Sequence, residues 1–134
     1  MNDKNSILYI KSDHNLYELK EILDRKLILE SIEEQPQIKI KYLDNLDVLK
    51  LDEISIFVFD EKNEEETVKL FDVFSKIKEK LDSKQIEIEF IKNIDNAKKL
   101  FEEILPNYER TKVTYFDMKK IYKWYNILIK FSKI

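Results

Sequence analysis

Glycine is absent from all 134 residues. It is the default where a backbone takes φ > 0 or lies close against a ligand. Its absence excludes a Walker phosphate loop, a dinucleotide fingerprint and a glycine-flanked nucleophile elbow, each of which needs backbone clearance at fixed positions. Cysteine is absent too, which removes disulfides, thiolate nucleophiles and cysteine-based zinc sites in one step. His14 is the only histidine, so no multi-histidine metal site can form, and a Ser-His-Asp triad would have to be built around it. Ala97 is the only alanine, Arg25 and Arg110 the only arginines, and Pro36 and Pro106 the only prolines. Their codons are GC-rich at least in part, and an AT-rich coding sequence depletes them together. No apolar run approaches the roughly 20 residues of a membrane span. Met1-Asn2-Asp3-Lys4-Asn5 lacks the basic-then-apolar start of a signal peptide. A membrane is therefore not an expected partner, and the default expectation is a cytoplasmic location.

What is present is enough for a core. Hydrophobic residues make up 43% and aromatics 12%, and a chain of this length is expected to form one domain over residues 1–134. The net charge of −3 is unevenly spread, because six lysines follow Thr111 against the single Asp117. An acidic body with a basic, aromatic tail points to a protein surface and argues against nucleic acid as a partner.

Ile7-Leu8-Tyr9-Ile10 is a short apolar run, as expected of a strand buried on both faces. Asn15 and Glu18 have capping-box spacing, and Leu16, Leu19, Ile22, Leu23 and Leu27 recur with helical period, predicting a helix to about Ser31. Ile38-Lys39-Ile40-Lys41-Tyr42 alternates strictly and reads as an edge strand with one wet face. Asp44-Asn45 reads as a turn, and 46–51 as an amphipathic connector of one or two helical turns. Ile54-Ser55-Ile56-Phe57-Val58-Phe59 is the strongest strand signal and predicts a central strand. Asn63 and Glu66 again have capping-box spacing, before a stripe of Val68, Phe71, Phe74, Ile77 and Leu81. Residues 86–91 alternate as a fourth strand, Asp95 or Asn96 caps a helix ending at Pro106, residues 112–116 offer a short fifth strand, and a helix follows over about 117–133. Strands alternating with helices predict an α/β fold, a three-layer, doubly wound, mostly parallel sheet of order 2-1-3-4 or 2-1-3-4-5 with helices on both faces.

In such a sheet ligands gather at the carboxyl ends of the strands. Asp13 would lie there after the first strand, and Asp60 and Glu61 after the third. Three convergent carboxylates can hold Mg²⁺; the plain alternative is a helix cap and two solvated loop residues, with no metal and no cofactor. The run Ile7 to Asp13 followed by a helix, together with Ile56-Phe57-Val58-Phe59-Asp60, resembles the receiver domains of two-component response regulators, which are flavodoxin-like signalling domains. The resemblance places Asp60 at the phosphate-accepting position. Lys11 and Ser12 stand where receivers carry an acidic pair, and the position of the receivers' lysine falls within Tyr115 to Asp117, where no lysine stands, so the resemblance implies a degenerate receiver that does not take phosphate. A weaker similarity to toprim-type domains would set Lys11 at their first-strand glutamate and Asp60 with Lys62 at their later acidic pair.

The last helix carries Lys119, Lys123, Asn126, Lys130 and Lys133 on one stripe and apolar residues almost everywhere else. That apolar arc is wider than a simple surface helix needs. Trp124, Tyr125, Leu128 and Phe131 are the expected contact residues of a homodimer or a protein partner. The resulting expectation is a non-catalytic interaction or signalling domain acting through this helix. A Mg²⁺-dependent phosphoryl acceptor or toprim-type enzyme using Asp13, Asp60 and Glu61 is the competing class. A small inhibitor or adaptor from a mobile element also fits the composition.

Overall fold

In the computed structural model, which describes residues 6–134, Ile7–Ile10 is strand β1 and is buried at every position. The apolar run does form a strand covered on both faces, but its neighbours are antiparallel. The chain divides into two compact units, one ending at Ile54 and the next beginning at Ser55, with no linker between them.

In the first unit β1 is followed by β2 (Asn15–Leu23), β3 (Lys26–Ser31), β4 (Ile38–Tyr42) and β5 (Val48–Lys50), then a 3-10 turn over Leu51–Glu53. They form one sheet of order β4-β3-β2-β1-β5, and every pairing in it is antiparallel. Two predictions fail here. The helix expected to reach Ser31 is a hairpin, β2–β3, whose turn residues Asp24 and Arg25 have φ of 55° and 66°. Left-handed φ at both central positions matches the twist of a two-residue hairpin. With no glycine to use, the chain places Arg25 there at a cost of about 1–2 kcal/mol. The connector at 46–51 contains strand β5, paired with β1, in place of the expected helical turns. The edge prediction for 38–42 is met, since β4 ends the sheet order. Leu8, Ile10, Tyr17, Leu27 and Leu29 form the buried cluster of this unit, with Leu19 and Val48 packed against it.

The second unit begins with β6 (Ser55–Phe59) and β7 (Glu65–Lys69), an antiparallel pair forming a two-stranded sheet. Residues 107–109 run along the other edge of β6. Phe59 N–H donates to Asn107 O, Glu109 N–H donates to Phe57 O, and Val58 bridges Tyr108. Helices α1 (Leu70–Lys80), α2 (Ile88–Lys92), α3 (Ile94–Ile104) and α4 (Tyr115–Lys130) complete it. The strand at 54–59 is therefore not the centre of a large sheet. Ile56 and Val58 are buried while Phe57 faces out at 38% exposure, beneath the Lys112 amine, which lies 4.4 Å from its ring centre.

Asn63, expected to cap a long helix, instead takes φ of 61° in the β6–β7 hairpin, and α1 starts only at Leu70. Residues 86–91, expected as a strand, contribute α2, and 112–116 contribute no strand but the start of α4. Thr114 accepts from Asp117 N–H while the Asp117 carboxylate accepts from Thr114 N–H, a capping box that fixes where α4 begins.

A doubly wound parallel sheet needs a crossover between each pair of neighbouring strands. In the first unit β1 to β4 turn straight back on one another and β5 pairs antiparallel with β1 on the far edge, while the α-helices all follow β7 in the second unit. The receiver-like, flavodoxin-like and toprim-like architectures are all excluded by that topology.

Candidate functional site

The residues Lys11 to His14 form the turn between β1 and β2, closed by His14 N–H donating to Ile10 O with His14 at φ 59°. The turn gathers a polar cluster. Ser12 donates to Asp47 from both its N–H (2.9 Å) and its hydroxyl (2.5 Å), and Lys41 Nζ reaches the same carboxylate at 3.1 Å. Asp13 accepts from Lys39 Nζ at 2.8 Å, from the Tyr17 hydroxyl at 2.5 Å and from Asn15 N–H at 2.9 Å. His14 Nδ1 lies 2.9 Å from the Tyr9 hydroxyl, so Ser12 and His14 are engaged elsewhere and do not make a nucleophile–base pair.

These bonds set the charges. Burial pushes the Asp13 carboxyl up, but the bonds from Lys39, Tyr17 and Asn15 outweigh it and hold the group below its ordinary value. The Ser12 hydroxyl, then Lys41, hold Asp47 down in the same direction. Burial followed by the Asp13 charge raises Tyr9, and burial with the Asp13 hydrogen bond raises Tyr17. Carboxylates depressed in the folded state stabilise above their unfolded value, about 3.9 for aspartate. That stability is lost as pH falls through the lower folded value. The first unit is thus expected to lose stability as pH falls below the ordinary aspartate value, with Asp13→Asn flattening the dependence. Melting curves across that fall in pH provide the check, and an unchanged slope in the variant refutes it.

Asp60 and Glu61 lie in the other unit, in the β6–β7 turn. The Asp60 carboxylate accepts from Lys62 and Glu64 N–H, and so holds that turn together. Asp13 and Asp60 belong to separate units. Among the described residues no group of three or more His, Asp or Glu is placed to hold a metal ion.

The contact residues expected on the last helix are used within the chain. Trp124, Tyr125 and Leu128 are buried, and only Phe131 remains half-buried. The Tyr125 hydroxyl donates to Lys84 O, and Asn126 exchanges two hydrogen bonds with the backbone of Ile86.

The largest departure from soluble-protein patterning lies on β4. An alternating edge strand should bury its isoleucines and expose its lysines. The reverse holds: Ile38, Ile40 and Tyr42 are 59%, 57% and 60% exposed, while the Lys41 side chain is only 22% exposed. Register explains the inversion. Lys39 and Lys41 oppose Leu29 and Leu27, so they share the buried-cluster face, where their amines reach Asp13 and Asp47. Ile40 opposes Ile28, Tyr42 opposes Lys26, and Lys26 opposes the exposed Leu23 of β2. The outer sheet face thus carries Leu23, Ile28, Ile38, Ile40 and Tyr42 together. The sequence signalled the strand and its edge, but not which side faces water.

The architecture is that of an all-antiparallel five-stranded unit joined to a second unit of a strand pair and four helices. The second unit matches the family described as Domain of unknown function (DUF6852) over residues 54–128, and the chain belongs to that family. A solution NMR structure of a protein from Bacteroides vulgatus is similar over 96% of this chain and 87% of that one, at 29% identity and a TM-score of 0.73, so the similarity takes in both units. A comparison with curated proteins gives no match. No helix among the described residues is long and apolar enough to cross a membrane.

Proposed function

We propose that this protein is a non-catalytic, cytoplasmic binding module that contacts another protein through the β3–β4 face of its first unit. The inverted patterning of β4 carries this reading. Leaving an Ile or Tyr side chain in water forgoes roughly 1.5–3 kcal/mol of burial, and three such residues on one strand form a patch beyond scattered surface apolar residues. A partner that covers Ile38, Ile40 and Tyr42 recovers that free energy. The C-terminal helix has less to offer, because Trp124, Tyr125 and Leu128 are already buried.

Site-specific photo-crosslinking in the cells that make the protein tests this. Benzoylphenylalanine at Tyr42 is expected to give a discrete protein adduct that disappears when Ile40→Glu is added, and the same group at Glu61 is expected to give none. Equal adducts from both positions, or none from Tyr42, would overturn the reading.

A further inference from the structure

The β4 strand offers more than side chains. Ser31 N–H donates to Gln37 O and Leu43 N–H donates to Arg25 O, which fixes the hydrogen-bonded pairs of the β3–β4 ladder at the odd-numbered residues of β4. By the alternation of antiparallel pairing, the N–H and C=O groups of Ile38, Ile40 and Tyr42 then point away from β3. They point to the free edge, since among the described residues no strand pairs with the outer side of β4. Ile38 and Ile40 thus combine exposed apolar side chains with outward-facing backbone groups, while at Tyr42 the N–H faces out and the C=O accepts from Asn45 N–H at 3.0 Å. An edge of this kind is a template for another strand.

Charge says which strand. The alternate residues on this edge are Lys39 and Lys41, each with three donors, of which one is spent on Asp13 or Asp47. A second copy pairing β4 to β4 in a continuous sheet would set lysines opposite lysines, which disfavours it. A strand that alternates apolar and acidic residues would lay its apolar side beside Ile38, Ile40 and Tyr42 and its carboxylates beside Lys39 and Lys41. The chain has such a run at Ile86-Glu87-Ile88-Glu89-Phe90, but Asn126 holds it in the second unit, with Ile86 buried.

We propose that the outer edge of β4 binds an extended segment of a partner protein by strand addition, and that the segment alternates apolar with acidic residues. This rests on the reading that the β3–β4 face is the contact surface. The probe is a fluorescein-labelled peptide of four Val-Glu repeats, titrated into the full chain and followed by anisotropy. It is compared with the Val-Lys peptide and with two N-methylated forms, one methylated on the valines and one on the glutamates. Successive residues of an added strand point their N–H groups to opposite edges. One N-methylated form should therefore lose binding at least tenfold while the other keeps it. The Val-Lys peptide should bind at least tenfold more weakly, and saturation should slow amide exchange at Ile38, Ile40 and Tyr42 by tenfold or more.

Equal binding of both N-methylated forms would show side-chain docking without strand addition, overturning this proposal while leaving the function reading intact. Equal affinity for acidic and basic peptides, or no binding of either, overturns it too, with the Tyr42 crosslink deciding the broader reading separately. Protection of the same three amides at high concentration of protein alone would name a second copy as the occupant and refute the acidic segment.

Discussion

Truncating Phe101 to alanine is expected to destabilise the second unit by about 3–5 kcal/mol, the range for removing a buried aromatic. Phe101 is fully buried on α3. Its ring meets Tyr108 edge-on, with centroids 5.0 Å apart and planes at 87°, and lies 6.4 Å from the ring of Tyr122 on α4. Tyr108 in turn bridges Val58 of β6. One side chain thus stands where α3, α4 and the strand pair converge, and no small rearrangement refills its volume. Tyr122→Phe is the milder comparison. Its hydroxyl donates to Ala97 O at 2.6 Å, and losing that bond should cost about 1 kcal/mol. Burial holds the phenol far above its ordinary pKa, so it stays neutral through any working range. Chemical denaturation followed by the fluorescence of Trp124, the only tryptophan, separates the two variants. A loss below about 1.5 kcal/mol for Phe101→Ala would show that the aromatic junction is not the keystone claimed.

How much of this was legible in the sequence varies with the element. The third and fourth helices were, because Ala97, Leu100, Phe101 and Ile104, and then Met118, Ile121, Tyr122, Tyr125 and Leu128, keep helical spacing and are buried. Both helices start two or three residues earlier than that spacing predicts, with caps at Asn93 and Thr114. The β2–β3 hairpin was hidden by a bulge. The register shifts between Leu19 and Glu21, so the residues on one face of β2 run Tyr17, Leu19, Ile22, and an extra residue in a two-residue repeat imitates helical spacing. The turn that closes the hairpin has Asp-Arg where a glycine would have announced it.

Residues 86–91 misled for the opposite reason. Their alternation is real, but among the described residues no strand pairs with them, and Ile88 stays exposed on α2. The grouping of the candidate acids rested on the expected topology. Asp13 and Asp60 converge only if the first and third predicted strands are parallel neighbours, and those strands belong to different units. Nothing in the pattern of 38–42 could have told which of its two faces meets water. That depends on Lys39 and Lys41 sharing a face with Leu29 and Leu27, a matter of register with β3.

The two faces of the β3–β4 pair are expected to respond to mutation in opposite ways. Leu29 is fully buried in the cluster with Leu8, Ile10, Tyr17 and Leu27. Leu29→Ala should cost about 2–5 kcal/mol. A unit of this size buries a smaller fraction of its surface than a large domain does, so that loss would consume much of its stability. On the opposite face, Ile40→Thr keeps the β-branch and removes side-chain surface that is largely in water, so the change should stay within about 0.5 kcal/mol. The first unit contains no tryptophan, and exchange of the β3 amides is therefore the suitable measure of its stability. The contrast has a functional consequence. If Ile40 contributes nothing to the fold, its apolar side chain and outward-facing backbone have no structural reason to stand at the sheet edge, and a binding role accounts for them. An Ile40→Thr loss comparable to that of Leu29→Ala would instead make the exposed isoleucine part of the core and remove the ground for assigning it to a partner.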